Sequence, residues 1–406
     1  MTMKLSRIAF VFLLTLCGTS PLKADWLNFR GPQGSGYAPG ITSTPAELSE
    51  KTLAWKMPLP GRGLSSTIVV GDKVFVTAAS GPEQQQLHVL CFSTKDGAPL
   101  WERRFWATGR TMTQSKTNVA APTPASDGER IYALYSSNDL ICLDLKGNLI
   151  WMRALTLDYP NASNSLGLAS SPIVVGDTLV AQIENDSESF AAGFDLLTGM
   201  NKWKIERPKA ANWTSPIVIQ KDGESIVALQ SGKGVLGILP STGSSVFNIE
   251  NGASTIPSGA ASGDQLFIPA NGLTAMTVSS SGAAPEKVWN ESNERPGTSS
   301  LLVIGEKVYL INNAGVLTCL DRKAGQRLWR IRIEGPFSGS PVAGAGDRIF
   351  IFSETGIGQV IDVSGAEGKI VSQIKLEDTI LSTPSLSEGA LYIRSDKQLW
   401  KFSAKL

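Results

Sequence analysis

Tryptophan recurs along the chain at nearly even intervals: Trp55, Trp101, Trp151, Trp203, Trp289 and Trp329 are separated by 46, 50, 52, 86 and 40 residues. The gap of 86 divides into 44 and 42 if Phe247 takes the missing place. Each aromatic closes a segment that opens on small polar residues and proline. A unit of roughly 45 residues is too small to bury its own apolar face, so self-similarity at that period predicts units that stack or close into one continuous structure.

The interior of the unit reads as strands. Ser170-Ser171-Pro172-Ile173-Val174-Val175 and Thr214-Ser215-Pro216-Ile217-Val218-Ile219 open two of them, with proline at the strand start, where its missing N–H costs least. Gly71-Asp72, Gly176-Asp177 and Gly346-Asp347 then supply the positive φ of a tight hairpin. Period-two alternation follows, as in Arg348-Ile349-Phe350-Ile351-Phe352, and after a Thr-Gly or Ala-Gly turn a fourth strand carries the tryptophan. Four antiparallel strands make one blade of a β-propeller.

Openings at Ser65, Ala121, Ser170, Thr214, Pro257, Ser299, Ser338 and Ser382 predict eight blades. The last lacks a fourth strand, whereas Thr52-Leu53-Ala54-Trp55-Lys56 is a fourth strand with no blade before it. Pairing the two closes the ring and removes the open sheet edges. The expected organisation is a signal peptide at 1–24, an N-terminal extension at 25–51 and one eight-bladed, all-β propeller from 52 to 406.

Lys4 and Arg7 before the short apolar run Ile8 to Leu16, with Ala24 at the cleavage position, predict export to the periplasm or beyond. Leu16 stands where a lipoprotein signal needs a small residue, which argues against lipidation at Cys17. Removing 1–24 takes away three basic residues and no acid, leaving 34 basic against 36 acidic. So balanced a surface gives no reason to expect nucleic acid as partner. No later apolar run approaches a membrane span, and a monomer is expected. Cys91, Cys142 and Cys319 lie 10, 9 and 10 residues before a tryptophan, which predicts one repeated buried position rather than a disulfide framework.

The pattern from Ala192 to Trp203, with Leu197-Thr198-Gly199 before Met200-Asn201-Lys202-Trp203, resembles the repeat of pyrroloquinoline-quinone-like (PQQ-like) propellers, and Val316 to Trp329 matches it nearly as well. Trp26-Leu27-Asn28-Phe29-Arg30-Gly31-Pro32-Gln33-Gly34-Ser35-Gly36 is similar to the start of exported bacterial members, and Asn118-Val119-Ala120-Ala121-Pro122-Thr123-Pro124 to their second-blade opening. The resemblance covers the whole mature chain. It implies the fold shared by quinoprotein dehydrogenases and by an outer-membrane assembly scaffold. The dehydrogenases carry a vicinal cysteine pair over the quinone, and no two cysteines are adjacent here.

The expected function is therefore non-catalytic: an exported binding or scaffold propeller acting in the cell envelope on a protein partner or a small ligand, with no cofactor. The alternative is a periplasmic dehydrogenase dependent on PQQ and calcium, and a third reading is a sensor of a polymer or sugar. Loops leading into the first strands converge at one channel mouth and carry Arg62, Lys116, Asn118, Asn164, Trp213, Arg295 and Asp378 as the candidate surface. Trp213 breaks the ruler and is expected either to stack on a ligand or to pack on the neighbouring blade. The sole histidine, His88, reads as structural, and the histidine count is taken to exclude a triad or a zinc site. Glu184 to Glu188 offers calcium-like oxygens but reads as a polar hairpin.

Overall fold

The repeat closes into a ring of eight radial sheets in the computed structural model, which describes residues 25–163, 165–279 and 283–403. The expected leader and Asn164 lie outside the described residues. Blade 1 runs Ile68–Val70, Lys73–Ser80, Gln86–Ser93 and Pro99–Trp106 from the axis outward, and blades 2 to 6 repeat this order. The seam is where the sequence put it: Leu53–Pro58 pairs antiparallel with Gln398–Ser403, with Trp55 opposite Lys401. Trp400 accordingly sits on the third strand of blade 8.

The spacing of the tryptophans has a packing cause. In blade after blade the indole on the fourth strand stands opposite a small residue of the third: Cys91 faces Trp101, Cys142 Trp151, Gly193 Trp203, Ala275 Trp289 and Cys319 Trp329. A larger side chain there would collide with the ring. The three cysteines are thus buried and unbridged, as their spacing predicts, and burial holds their thiols above the usual range. Except at Trp329, the indole N–H then reaches the next blade, as from Trp55 to Thr94 O (3.2 Å), Trp101 to Leu145 O (3.1 Å), Trp203 to Pro240 O (2.7 Å) and Trp289 to Arg322 O (2.8 Å).

The turn glycine of that next blade lies flat under the indole. Gly243 has φ +71°, and a Cβ there would come within 2.6 Å of Trp203 Cδ2. Gly243→Ala is expected to cost about 2–4 kcal/mol, from left-handed strain plus overpacking, read as a lowered urea midpoint at unchanged slope. Blade 7 breaks the series: Ser372 takes the aromatic's place opposite Val360, and its hydroxyl accepts from Leu48 N and donates to Leu48 O.

The N-terminal segment is more than an extension. It lies across one end of the channel and bonds to the inner edges of seven blades in turn. Trp26 exchanges two 3.0 Å bonds with Val69, Ser126 N donates to Leu27 O, Val174 N to Asn28 Oδ1, Val218 N to Gln33 O and Ala343 N to Gly36 O. Arg30 reaches blades 5 and 6, donating to Gly259 O (3.0 Å) and Leu301 O. Tyr37–Ala38 then adds a parallel strand beside Ala343–Gly344 of blade 7. Trp26 is fully buried, which by itself stabilises the plug by roughly 1.5–3 kcal/mol. Gly36 has φ +84° and would carry a Cβ 2.9 Å from Pro341 O, so glycine alone lets the plug lie this close.

Candidate binding site at the channel mouth

With one end plugged, the channel opens only on the face where loops lead into the first strands. Its wall is built by the small polar residues that open each repeat. The backbone N–H of Ser66 donates to Thr123 Oγ1, Thr123 N to Ser171 Oγ, Ser171 N to Ser215 Oγ, Ser215 N to Ser258 Oγ, Ser258 N to Ser300 Oγ, Ser300 N to Ser340 Oγ and Ser340 N to Thr383 Oγ1, at 2.8–3.0 Å. Each blade is thereby stitched to the next around the axis. At the seam the stitch differs: Ser66 Oγ is buried without a partner, and the hydroxyls of Thr67 and Ser385 meet instead.

Seven of these hydroxyl residues line a cavity of about 290 Å³, floored by Phe29 of the plug and rimmed by Gln114, Lys116, Trp213, Ile256 and Leu381. Of the expected surface residues, Lys116 and Trp213 are the two that reach it. Trp213 is clamped by its indole N–H on Gly167 O (2.9 Å), a loop of the neighbouring blade, yet a part of it remains open to the cavity. Lys116 crosses to blade 7, where Glu354 Oε2 lies 3.0 Å away and Glu354 Oε1 accepts from Ser338 Oγ. Because the ammonium is exposed, that pair is worth only about 0–1 kcal/mol.

The other expected residues have different work. Asn118 is fully buried, donating to Gln84 and accepting from Ala120 N, so it shapes the loop and presents nothing outward. Arg62 ties three blades together through Asp396 (3.1 Å) and the carbonyls of Ser115 and Thr117. Asp378 caps a hairpin, accepting from Ser395 Oγ and Lys397 N. Arg295 is exposed but lines a shallow cleft with Gly232 and Ser254, away from the channel.

Glu184 and His88 prove to be internal, whereas Asp186 and Ser187 stay exposed in the turn of their hairpin. Glu184 is buried against Arg207 (2.6 Å) and Asn212; burial raises its carboxyl pKa against the pull of Arg207, and the group joins blade 3 to blade 4. His88 requires a correction: counting histidines does not exclude a triad, and Ser80 Oγ, His88 and Glu102 stand in line at 2.7 and 2.6 Å. The line is closed at its centre and part-open at its ends: His88 is 2% exposed, Ser80 is half-buried with a Cβ on Gly61 falling 3.1 Å from its own Cβ, and Glu102 lines an outer groove with Leu100 and Trp101. It holds three strands of blade 1 in register.

The pyrroloquinoline quinone and calcium of the alternative reading need acidic and amide ligands. None of the residues lining the cavity is a carboxylate, and Gln114 is its one amide. No group of three His, Cys, Asp or Glu placed to hold a metal occurs among the described residues. This wall does not fit that pair.

A plugged eight-bladed ring with one open, loop-lined mouth defines a β-propeller whose channel opens on a single face. The chain belongs to the family described as outer membrane protein assembly factor BamB, whose sequence model matches residues 44–186, 107–331 and 313–405. It is 27% identical over 123 residues to outer membrane protein assembly factor BamB of Burkholderia pseudomallei, a stretch of 30% of this chain and 31% of that protein. Among solved structures, BamB from Moraxella catarrhalis aligns with TM-score 0.63 at 14% identity, over 87% of this chain and 98% of that one. A europium-containing methanol dehydrogenase aligns with TM-score 0.70 at 13% identity, over 95% and 98%. The quinohemoprotein alcohol dehydrogenase of Comamonas testosteroni gives 0.70 at 12%, over 96% and 82%. At these identities the structural likeness speaks for the fold alone. No helix among the described residues is long and apolar enough to cross a membrane.

Proposed function

We propose that the chain is a non-catalytic scaffold of the cell envelope that holds a protein partner on its mouth face and serves outer-membrane protein assembly. The observation that carries this reading is a set of large apolar side chains exposed on that face beside the cavity; the others exposed among the described residues, such as Leu149, Leu197 and Val371, are scattered along the outer strands and their turns. Trp106 (63%), Met112 (62%), Leu157 (79%), Leu166 (45%) and Ile256 (49%) all lie where fourth strands end or on the loops that follow. Gln114 N donates to Leu166 O, which draws two of these loops together beside Trp213. An exposed cluster of large apolar and aromatic groups rimmed by polar ones is what a protein interface uses. Family membership supports the choice of partner class, and the leader-like start of the sequence supports the compartment.

Trp213→Ala and Ile256→Asp are the test, since both side chains rim the mouth. Each is expected to weaken capture of the outer-membrane assembly machinery from envelope extracts by about tenfold or more, as for central aromatic anchors. Equal capture by wild type and both variants would remove the mouth from the interface.

A further inference from the structure

We propose that the plugged channel binds one small oxyanion on its axis, held by the ring of Ser and Thr hydroxyls. A hydroxyl has one hydrogen to give and two lone pairs to receive. In Thr123, Ser171, Ser215, Ser258, Ser300, Ser340 and Thr383 a lone pair is already taken by the N–H of the preceding blade, which fixes the oxygen in place. Their hydrogens have no acceptor among the described residues. All seven side chains are 1–5% exposed and line the same cavity, so seven O–H donors converge on one small space. Ser66, in the eighth place, has a buried hydroxyl with no partner at all.

The charge beneath the ring has the matching sign. Arg30 is completely buried, and its guanidinium bonds to the carbonyls of Gly259 and Leu301, the residues that directly follow ring members Ser258 and Ser300. No carboxylate pairs with it, its Nε has no partner, and burial alone pulls its pKa down to about 9. A buried cation left to neutral carbonyls is costly, and an anion on the axis would offset that cost. Arg394, buried at the seam, adds a second guanidinium with one unpartnered nitrogen; Asp396 and Asp378 partly balance it and Arg62 opposes them. Above the cavity stand Lys116 and its partner Glu354. Each ring hydroxyl keeps one lone pair besides its hydrogen, so it is the buried guanidinium beneath the ring that favours an anion over a neutral sugar. The inference is independent of the protein partner proposed above, because the ring lies inside the channel and the docking groups lie on its rim.

Two measurements on the mature protein test it. Calorimetric titration with sulfate, phosphate and acetate should give one saturable site for at least one of the three. The Ser258→Ala/Ser300→Ala double variant should weaken it by about tenfold or more, the loss expected for hydrogen bonds to a charged group, and Arg30→Gln should weaken it too. Should those variants fail to fold, crystals of the wild-type protein soaked in selenate decide: the anomalous peak is expected on the axis among the ring hydroxyls. Peaks confined to surface lysines and arginines, an adventitious ion only, would overturn the proposal, as would no saturable binding. Binding of free pyrroloquinoline quinone with no response to the simple oxyanions would overturn it as well.

Discussion

A chain beginning at Leu59 is expected to show no cooperative thermal transition by circular dichroism, whereas one beginning at Ser49, which lacks the plug and keeps the seam strand, still melts cooperatively at a lower temperature. Leu53–Pro58 pairs with Gln398–Ser403 at five registered positions and is the outer strand of blade 8. Removing it takes away Trp55, which is 8% exposed, lies 6.0 Å from the ring of Tyr392 and donates across the seam to Thr94 O. It also uncovers Leu399, Phe402 and the flank of blade 1, which pack in the same cluster. Loss of one buried tryptophan costs about 3–5 kcal/mol, and the half-buried Leu53 and Met57 add roughly 1 kcal/mol each, which together approach the lower end of the ~5–15 kcal/mol that holds a whole domain. A transition within about 5 °C of the full-length protein would mean that the ring is held shut without its seam strand.

The second large effect is expected at Trp203. Trp203→Ala should cost about 3–5 kcal/mol, because the indole is buried between blades 3 and 4, covers Gly243 and donates to Pro240 O at 2.7 Å. Trp329 is an internal comparison. It is as buried, but its indole N–H has no acceptor, so Trp329→Ala should cost about 1 kcal/mol less, the net worth of one hydrogen bond. Urea denaturation of the two variants checks this. If Trp329→Ala proves the more damaging, ring packing rather than the N–H bond sets the order.

These two sites also explain which parts of the molecule could be read in advance. The distance from Gly199 to Trp203, or from Gly325 to Trp329, is dictated by contacts that recur between most neighbouring blades, so the pattern survives in the sequence as a period. Phe247 keeps the place in blade 4, and the three cysteines mark the small-residue position facing the ring. Blade 7 hid its mark because Leu48, from 324 positions away, occupies the ground that an indole would cover. The plug left only a weak trace: Gly31, Gly34 and Gly36 within six residues of each other, near a tryptophan and an arginine. No period runs through it because each of its residues meets a different blade.

The candidate surface was legible only as a set of loops. Asn118 and Trp213 hold comparable places ahead of a first strand, yet one is turned inward to Gln84 while the other edges the cavity. Similarly, nothing in the spacing of Ser80, His88 and Glu102 announces a hydrogen-bonded line; strand register puts them together, with Ser80 opposite Gln86 and His88 opposite Arg104.

By itself the sequence determined the size of the blade, the number of blades and the closure of the ring by its own two ends, because each follows from contacts repeated between neighbours in the chain. Only the tertiary structure decided that one end of the channel is stoppered, that seven hydroxyls face a common axis and that Arg30 lies buried beneath them. Those facts arise where all eight blades converge, and convergence on an axis joins residues that no local spacing relates.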